Sequence, residues 1–456
     1  MSDLHHREQK IQNKRKQTPF RDFLQEIASW RPMTFYKNNG HISRYPVSSR
    51  VQNIISVKEF ATLRDDIYKY GIDYSGDFFA DITALWQSVP TAALNHFGNN
   101  ENCDYSDVAY NGKNIYLGIV ATRGVENAAY VFNCKDNSKN ILSSINVLEW
   151  SENVYASSYI IQSYNVFFSE NIINSNNMWL CTNCIWCSEC VACDGLENMS
   201  YCIDNKVLDK DIYTQEKEKI LQQKGKLTKR KSKIPINMGC SHVEWSNLYN
   251  CHDVTNAHFC INVNDARNVV FISSNENNGD FYDVFMGGRS TNFYGVCDAW
   301  GFSDNFYCVT QCAVSCYSMY YSMSCESCSF CLGCNGLINK HYCILNKQYS
   351  KEERLMLADK IFAQLEKDWT LWDFFPPSMN PFYFNDTAAY LMDQTFTKEE
   401  VTKLWYLRRD EHITTDIPDT ADIVSVEELG QYESYKPSSW ERGNQKSPSW
   451  QGGGTP

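Results

Sequence analysis

Between Ser151 and Cys193 one slot recurs every six residues, and its occupant changes from serine to cysteine along the way: Ser151, Ser157, Ser163, Ser169, Ser175, Cys181, Cys187 and Cys193. Three residues on, a second slot reads Val154, Ile160, Val166, Ile172, Met178, Cys184 and Cys190, and the residue before it is often an asparagine (Asn153, Asn165, Asn171, Asn177, Asn183). A short fixed period with one small, one apolar and one amide slot is the mark of stacked β-coils, each too small to bury a core alone. The expected fold is therefore mainly β: a two-copy β-solenoid with capping helices and helical N- and C-terminal extensions. Equivalent slots line up at about 4.8 Å along such a stack. Ser and Cys suit a tight inward corner, and stacked Asn side chains can bond along the axis. Two or three rungs per coil both fit the period.

The second copy is visible at its end. Cys193–Lys206 reads C-D-G-L-E-N-M-S-Y-C-I-D-N-K and Cys334–Lys347 reads C-N-G-L-I-N-K-H-Y-C-I-L-N-K, nine identities without a gap. Upstream, Cys316, Ser322, Cys328 and Cys334 restore the six-residue step, with Cys325 and Cys331 in the offset slot. The chain then divides into a basic arm and degenerate ribbon-like region (1–75), a helical lead-in cap (76–100), solenoid copy 1 (101–206), a helix and basic linker (207–239), solenoid copy 2 (240–347), a helical aromatic C-terminal cap (348–411) and a tail (412–456) that is flexible or ordered on a partner. Phe78–Phe97 has helical spacing broken at Pro90, and a helix is expected from about Gln215. Ser350 with Glu353 and Thr397 with Glu400 form capping boxes ahead of helices. The aromatics of Trp369–Tyr383 are expected to pack on the end of the second solenoid.

The 456 residues carry a net charge of −12, with 21% charged and 14% aromatic residues. That composition is globular, and its acidity argues against nucleic acid as the main partner. Nucleic acid is left only to the arm, with Arg7, Lys10, Lys14, Arg15, Lys16 and Arg21. No 18-residue apolar run exists and the first residues hold no apolar signal core, so no membrane partner and no secretory signal are expected. The expected location is the cytoplasm or a virion.

Twenty cysteines without an export signal point to thiols or metal ligands more than disulfides. Cys181, Cys184, Cys187, Cys190 and Cys193 form overlapping C-x-x-C pairs, as do Cys325, Cys328, Cys331 and Cys334. The spacing suits zinc. However, residues three apart in an extended rung point to opposite faces, and the same slots hold Ser, Val and Ile elsewhere. A structural thiol ladder is the reading preferred here. No cofactor is then expected, with zinc as the alternative and these nine cysteines as its ligands.

No catalytic set stands out: there is no G-x-S-x-G, P-loop or H-E-x-x-H. His341 and the pair His252 and His258 read as surface histidines. Asp283, Asp298 and Asp304 could serve sugar chemistry only as a facing pair, and nothing singles them out. Tyr155, Tyr159, Tyr164, Tyr320 and Tyr321 are read as packing residues, with a carbohydrate or protein contact face as the alternative.

Three segments resemble a family of uncharacterised cysteine-rich repeat proteins of uncultivated small-genome bacteria and large bacteriophages. They are Asn102–Leu117 behind the Phe78–Leu94 helix with its Val89-Pro90 step; the cysteine block closing on G-L-x-N-K-x-Y-C-I-x-N-K at Cys334–Lys347; and the exit Tyr349–Ile361, Pro381–Ala389 and Thr397–Glu400. The resemblance covers about residues 75–411. Two departures matter. The family's zinc-ribbon C-x-x-C pairs have no counterpart in Tyr36–Tyr74, and many of its ladder cysteines are Val, Ile or Ser here, such as Val154, Ile160 and Val166. The resemblance implies no activity, and its occurrence in phages raises a virion role. The function expected is a non-enzymatic structural or interaction solenoid, a homo-oligomer or part of a larger assembly. The alternatives are zinc or thiol handling and a carbohydrate-active enzyme or binder.

Overall fold

Every third residue of the hexad stretch lies in the left-handed backbone region: Asn153, Ala156, Tyr159, Gln162, Asn165, Phe168, Asn171, Asn174 and Asn177 have φ between 47° and 59°. Asparagine tolerates that region better than other non-glycine residues, which is the physical reason for the Asn slot. The computed structural model describes residues 18–48, 50–222, 316–371 and 373–410, with 256, 267–268, 278–279, 290–296 and 303–309 between them. The protein is mainly β with a β-solenoid and helices.

These left-handed residues fall alternately inside and between four-residue strands: Asn153, Tyr159 and Asn165 are second in Glu152–Tyr155, Ser158–Ile161 and Tyr164–Phe167, and Ala156, Gln162 and Phe168 lie at the corners. Pairing is parallel and skips one strand: Glu152 faces Tyr164 and Ser158 faces Glu170. A coil therefore has twelve residues and two rungs, which settles the number the sequence left open. From Lys113 to Glu152 the step is thirteen, through Glu126 and Lys139. The extra residue is taken up as a second consecutive left-handed residue, at Arg123-Gly124, Asp136-Asn137 and Glu149-Trp150. Gly124 is required where it stands: φ is +81°, and a Cβ there would lie 2.3 Å from Asn137 Oδ1.

Inside, the slots Ser151, Val154, Ser157, Ile160 and their successors are all buried. Strands in the second region pair thirteen residues apart at Ser290 and Ser303, then twelve apart at Tyr317 and Ser329. The two regions end alike. Cys202–Ile203 turns back antiparallel onto Lys206–Val207, and Cys343–Ile344 onto Lys347–Gln348. In each, an asparagine completes the last coil as a strand would. Asn205 accepts the Asp194 N–H and donates to the Asp194 carbonyl, both at 2.8 Å, and Asn346 does the same to Asn335.

Helices flank the coils: α1 (Phe20–Glu26), α2 (Val57–Leu63), α3 (Phe78–Ser88), α4 (Lys210–Gln222), α5 (Lys351–Lys367), α6 (Ala388–Met392) and α7 (Lys398–Lys403). Both capping boxes are formed, and α3 stops before Pro90. Helix α4 starts five residues earlier than the sequence reading placed it. The Asp209 carboxylate accepts the Asp211 N–H at 3.0 Å and caps it there.

The N-terminal elements and the C-terminal segment share one core with coil residues of both regions. Trp30 meets Trp86 and Phe375, while Phe375 and Phe78 meet Tyr321. So the Phe374-Phe375 pair does pack on the second region, whereas Trp369 stays 88% exposed. Backbone bonds from the Ala388 N–H to the Arg31 carbonyl and from the Met33 N–H to the Asp386 carbonyl tie the N-terminal segment to the C-terminal one. Beneath them Arg31 and Arg44, both fully buried, converge on Asp107 at 3.0 and 3.5 Å. Burial pushes the Asp107 carboxyl up, but the Arg44 and Arg31 guanidiniums and the Asn95 N–H outweigh it and hold it below the usual range.

Candidate functional site: two buried thiol stacks

Cys181, Cys187 and Cys193 stand in the slot that serines fill earlier in the stack, and Cys184 and Cys190 in the slot of Val154 and Ile160. Ser169 Oγ donates to the Phe167 carbonyl at 2.8 Å and accepts the Cys181 N–H from the next coil at 3.0 Å. Ser157, Ser163 and Ser175 repeat both bonds. Each hydroxyl thus satisfies a carbonyl of its own coil and an N–H of the coil above, inside a core without water access. The thiols keep the first bond. Cys181, Cys184, Cys187, Cys190 and Cys193 donate to the carbonyl two residues back at 3.2 to 3.5 Å. Cys325, Cys328, Cys331 and Cys334 do so at 3.2 to 3.6 Å.

The expectation that C-x-x-C partners point to opposite faces is wrong. All nine cysteines are buried on the inside. The left-handed residue between them breaks the alternation of an extended strand, so residues three apart both turn inward. The thiols therefore touch one another. Cys184 contacts Cys181 and Cys187, and Cys190 contacts Cys187 and Cys193. Cys202 and Cys343 extend the two stacks by one coil, and sequence reasoning missed both. Their place in the nine-identity block was the signal.

Environment sets the thiol acidities. Burial pushes Cys181 up to about 12. Contacts with their neighbours and then burial push Cys184 and Cys190 well up. Cys187, held by Cys184 and Cys190, and Cys193, held by Cys181 and Cys190, are drawn down by those donors. At Cys328, contact with Cys325 pulls down, while contact with Cys331 and burial carry the thiol up to about 12. Among the described residues no group of three or more His, Cys, Asp or Glu is arranged to hold a metal ion.

The other sequence candidates fall apart spatially. His341 is exposed and bonds Ser329 Oγ at 2.6 Å, on the same outward ladder where Ser188 meets Ser200 in the first region. His252, His258, Asp283 and Asp298 lie outside the described residues, and Asp304 is placed only by the backbone of Ser303–Val309. Tyr320 and Tyr321 are core residues, whereas Tyr155 and Tyr164 stand on the surface. A crevice of about 70 Å³ beside α2 holds Asn95, His96 and Ser324. The His96 Nε2 is taken by the Ser106 carbonyl at 2.9 Å.

The Asn slot forms the longest polar ladder. Asn102, Asn114, Asn127, Asn140, Asn153, Asn165 and Asn177 pass one amide bond from coil to coil at 2.8 to 3.1 Å. A second ladder holds Asn133 to Asn146 and Asn171 to Asn183. No family model, no curated protein and no solved structure matches this chain.

Proposed function

We propose that the chain is a non-enzymatic structural and interaction module: two copies of one solenoid unit, joined by a shared cap, that serves as a subunit of a homo-oligomer or larger assembly, with a virion component as the concrete form. One observation carries this. The serine hydroxyls and one amide bond per asparagine cross to the next coil, and the serines and thiols also bond carbonyls of their own coil, so the chemistry-bearing slots hold the stack together. Stacked repeats of this kind make regular faces that suit binding. The thiols then act as small buried packing groups. The test is native mass spectrometry of the purified full chain. A metal-free oligomer is the expected spectrum. A monomer carrying one or two zinc ions overturns the reading and makes the C-x-x-C clusters sites.

A further inference from the structure

Beside the long asparagine ladder runs a row of exposed rings. Asn153 and Tyr155 flank the inward Val154 on one strand, and the same pair of positions recurs at Asn114 with Tyr116 and at Asn165 with Phe167. Tyr116, Tyr130, Tyr155 and Phe168 are 41, 56, 38 and 42% exposed. From Tyr105 to Trp179 the row crosses six coil steps, roughly 30 Å at the spacing of paired strands, with Ala129 and Leu142 in place of rings at two of its positions and Tyr130 beside the first of them.

The rings are fixed in place. Tyr116 meets Tyr130 edge-to-face at 5.8 Å, Tyr155 meets Phe168 at 5.1 Å, and Phe167 stacks on Trp179 at 4.2 Å. The amides beside them are only half spent. A side-chain amide has two N–H donors and two acceptor positions. Asn114, Asn127, Asn153 and Asn165 each give one N–H and receive one in the ladder. Each keeps one donor and one acceptor, repeated once per coil. Along the neighbouring row Lys113 pairs with Glu101 at 3.0 Å and Lys139 with Glu126 at 3.2 Å, and Glu152 follows, so no ammonium is left over.

We propose that this face of the first solenoid binds a linear, uncharged polysaccharide lying along the solenoid axis, its C–H faces on the Tyr116–Phe168 rings and its hydroxyls on the spare Asn amides. Rings and amides in alternate rows match a sugar, which is apolar on its faces and polar at its rim. The paired charges offer no field for an anionic polymer. An identical protein face would bring rings to rings and leave the amide row facing amides. The site goes beyond the scaffold reading and stands or falls apart from it.

Affinity electrophoresis of the full chain in gels containing hydroxyethyl cellulose, xylan, laminarin or galactomannan tests it, with alginate as the anionic control. The expected result is retardation by at least one neutral polymer, unchanged by 0.5 M salt, and weakened about tenfold in the Tyr155→Thr/Phe168→Asn variant, the scale of losing two aromatic contacts. Thr suits a strand and Asn the left-handed position, and circular dichroism verifies that the variant is folded. Retardation by none of the four neutral polymers, or equal retardation of the variant, overturns the proposal. Loss of self-association in the variant without a change in retardation assigns the stripe to a second copy and also overturns it.

Discussion

Asn177 Nδ2 donates to Glu189 Oε1 at 2.7 Å, and there the asparagine ladder ends. The other carboxylate oxygen takes the Lys217 ammonium of α4 at 2.8 Å. The last amide of the coil stack is thus coupled to the helix that follows it, and Tyr213 of α4 packs on Tyr201 beside the same end. Glu189→Asn keeps the ladder and the left-handed preference but loses the ion pair. It should cost no more than about 1 kcal/mol, as partly exposed pairs do. Glu189→Val also leaves the Asn177 amide with only Asn176 Oδ1 at 3.3 Å, puts a β-branched residue at a left-handed φ of 51°, and should cost about 1–3 kcal/mol more. Urea denaturation measures both, and hydrogen exchange over 209–222 should rise in each variant. Equal stability of Asn and Val variants would remove the capping role.

The Ser169 hydroxyl makes one bond within its own coil and one to the next, so its replacements separate packing from hydrogen bonding. Ser169→Cys keeps a donor and acceptor of similar size, as Cys181 does one coil on. Ser169→Val leaves the buried Cys181 N–H unmatched and should cost about 1–3 kcal/mol more than the cysteine variant. Chemical denaturation of the pair decides. Valine tolerated as well as cysteine would mean that the slot selects for volume alone.

How far the fold could be read from the chain depended on coil length. Twelve-residue coils from Ser151 onward show the hexad directly. The thirteen-residue coils before them hide it, because Gly124, Asn137 and Trp150 are inserted at a corner and share no chemistry. The rung count was not legible because register is a long-range property, fixed only when Glu152 finds Tyr164. The inward convergence of the C-x-x-C pairs was misread for a local reason. Left-handed positions filled by Asn announce themselves, but Ala156, Tyr159, Gln162 and Phe168 adopt the same conformation without any such sign. The Glu189 cap and the Arg31, Arg44 and Asp107 cluster join residues far apart in sequence, and no motif marks either.

Cys134 isolates the effect of burial on one thiol. It is fully buried, and burial raises its thiol from 9.0 to about 12. A group with a raised folded pKa stabilises below its unfolded value, and that stability is lost as pH rises toward the folded one. From pH 8 to pH 10 this thiol alone should take away about 1.4 kcal/mol. Val147 occupies the matching slot one coil on, so Cys134→Val fits and removes the titration. Urea midpoints at the two pH values, compared between protein and variant, give the difference. An identical loss in both would show that Cys134 does not titrate in this way.

Asp107 sits on the solenoid strand Tyr105–Tyr110, and its two arginines come from the N-terminal segment, so this cluster clamps cap to coil. Removing its charge leaves two buried guanidiniums facing each other. Asp107→Asn should destabilise the protein by about 3–5 kcal/mol at pH 7, the usual loss when one member of a buried pair is removed. The pH dependence gives a second check. The folded carboxyl lies below its ordinary value, so its contribution is complete above the unfolded pKa near 4 and is lost as pH falls through the folded one. The stability gap between protein and variant should therefore shrink in acid. Urea titrations at pH 7 and pH 3 measure it, and a gap that stays constant would mean that Asp107 holds the cap through its shape and hydrogen bonds, with no contribution from its charge.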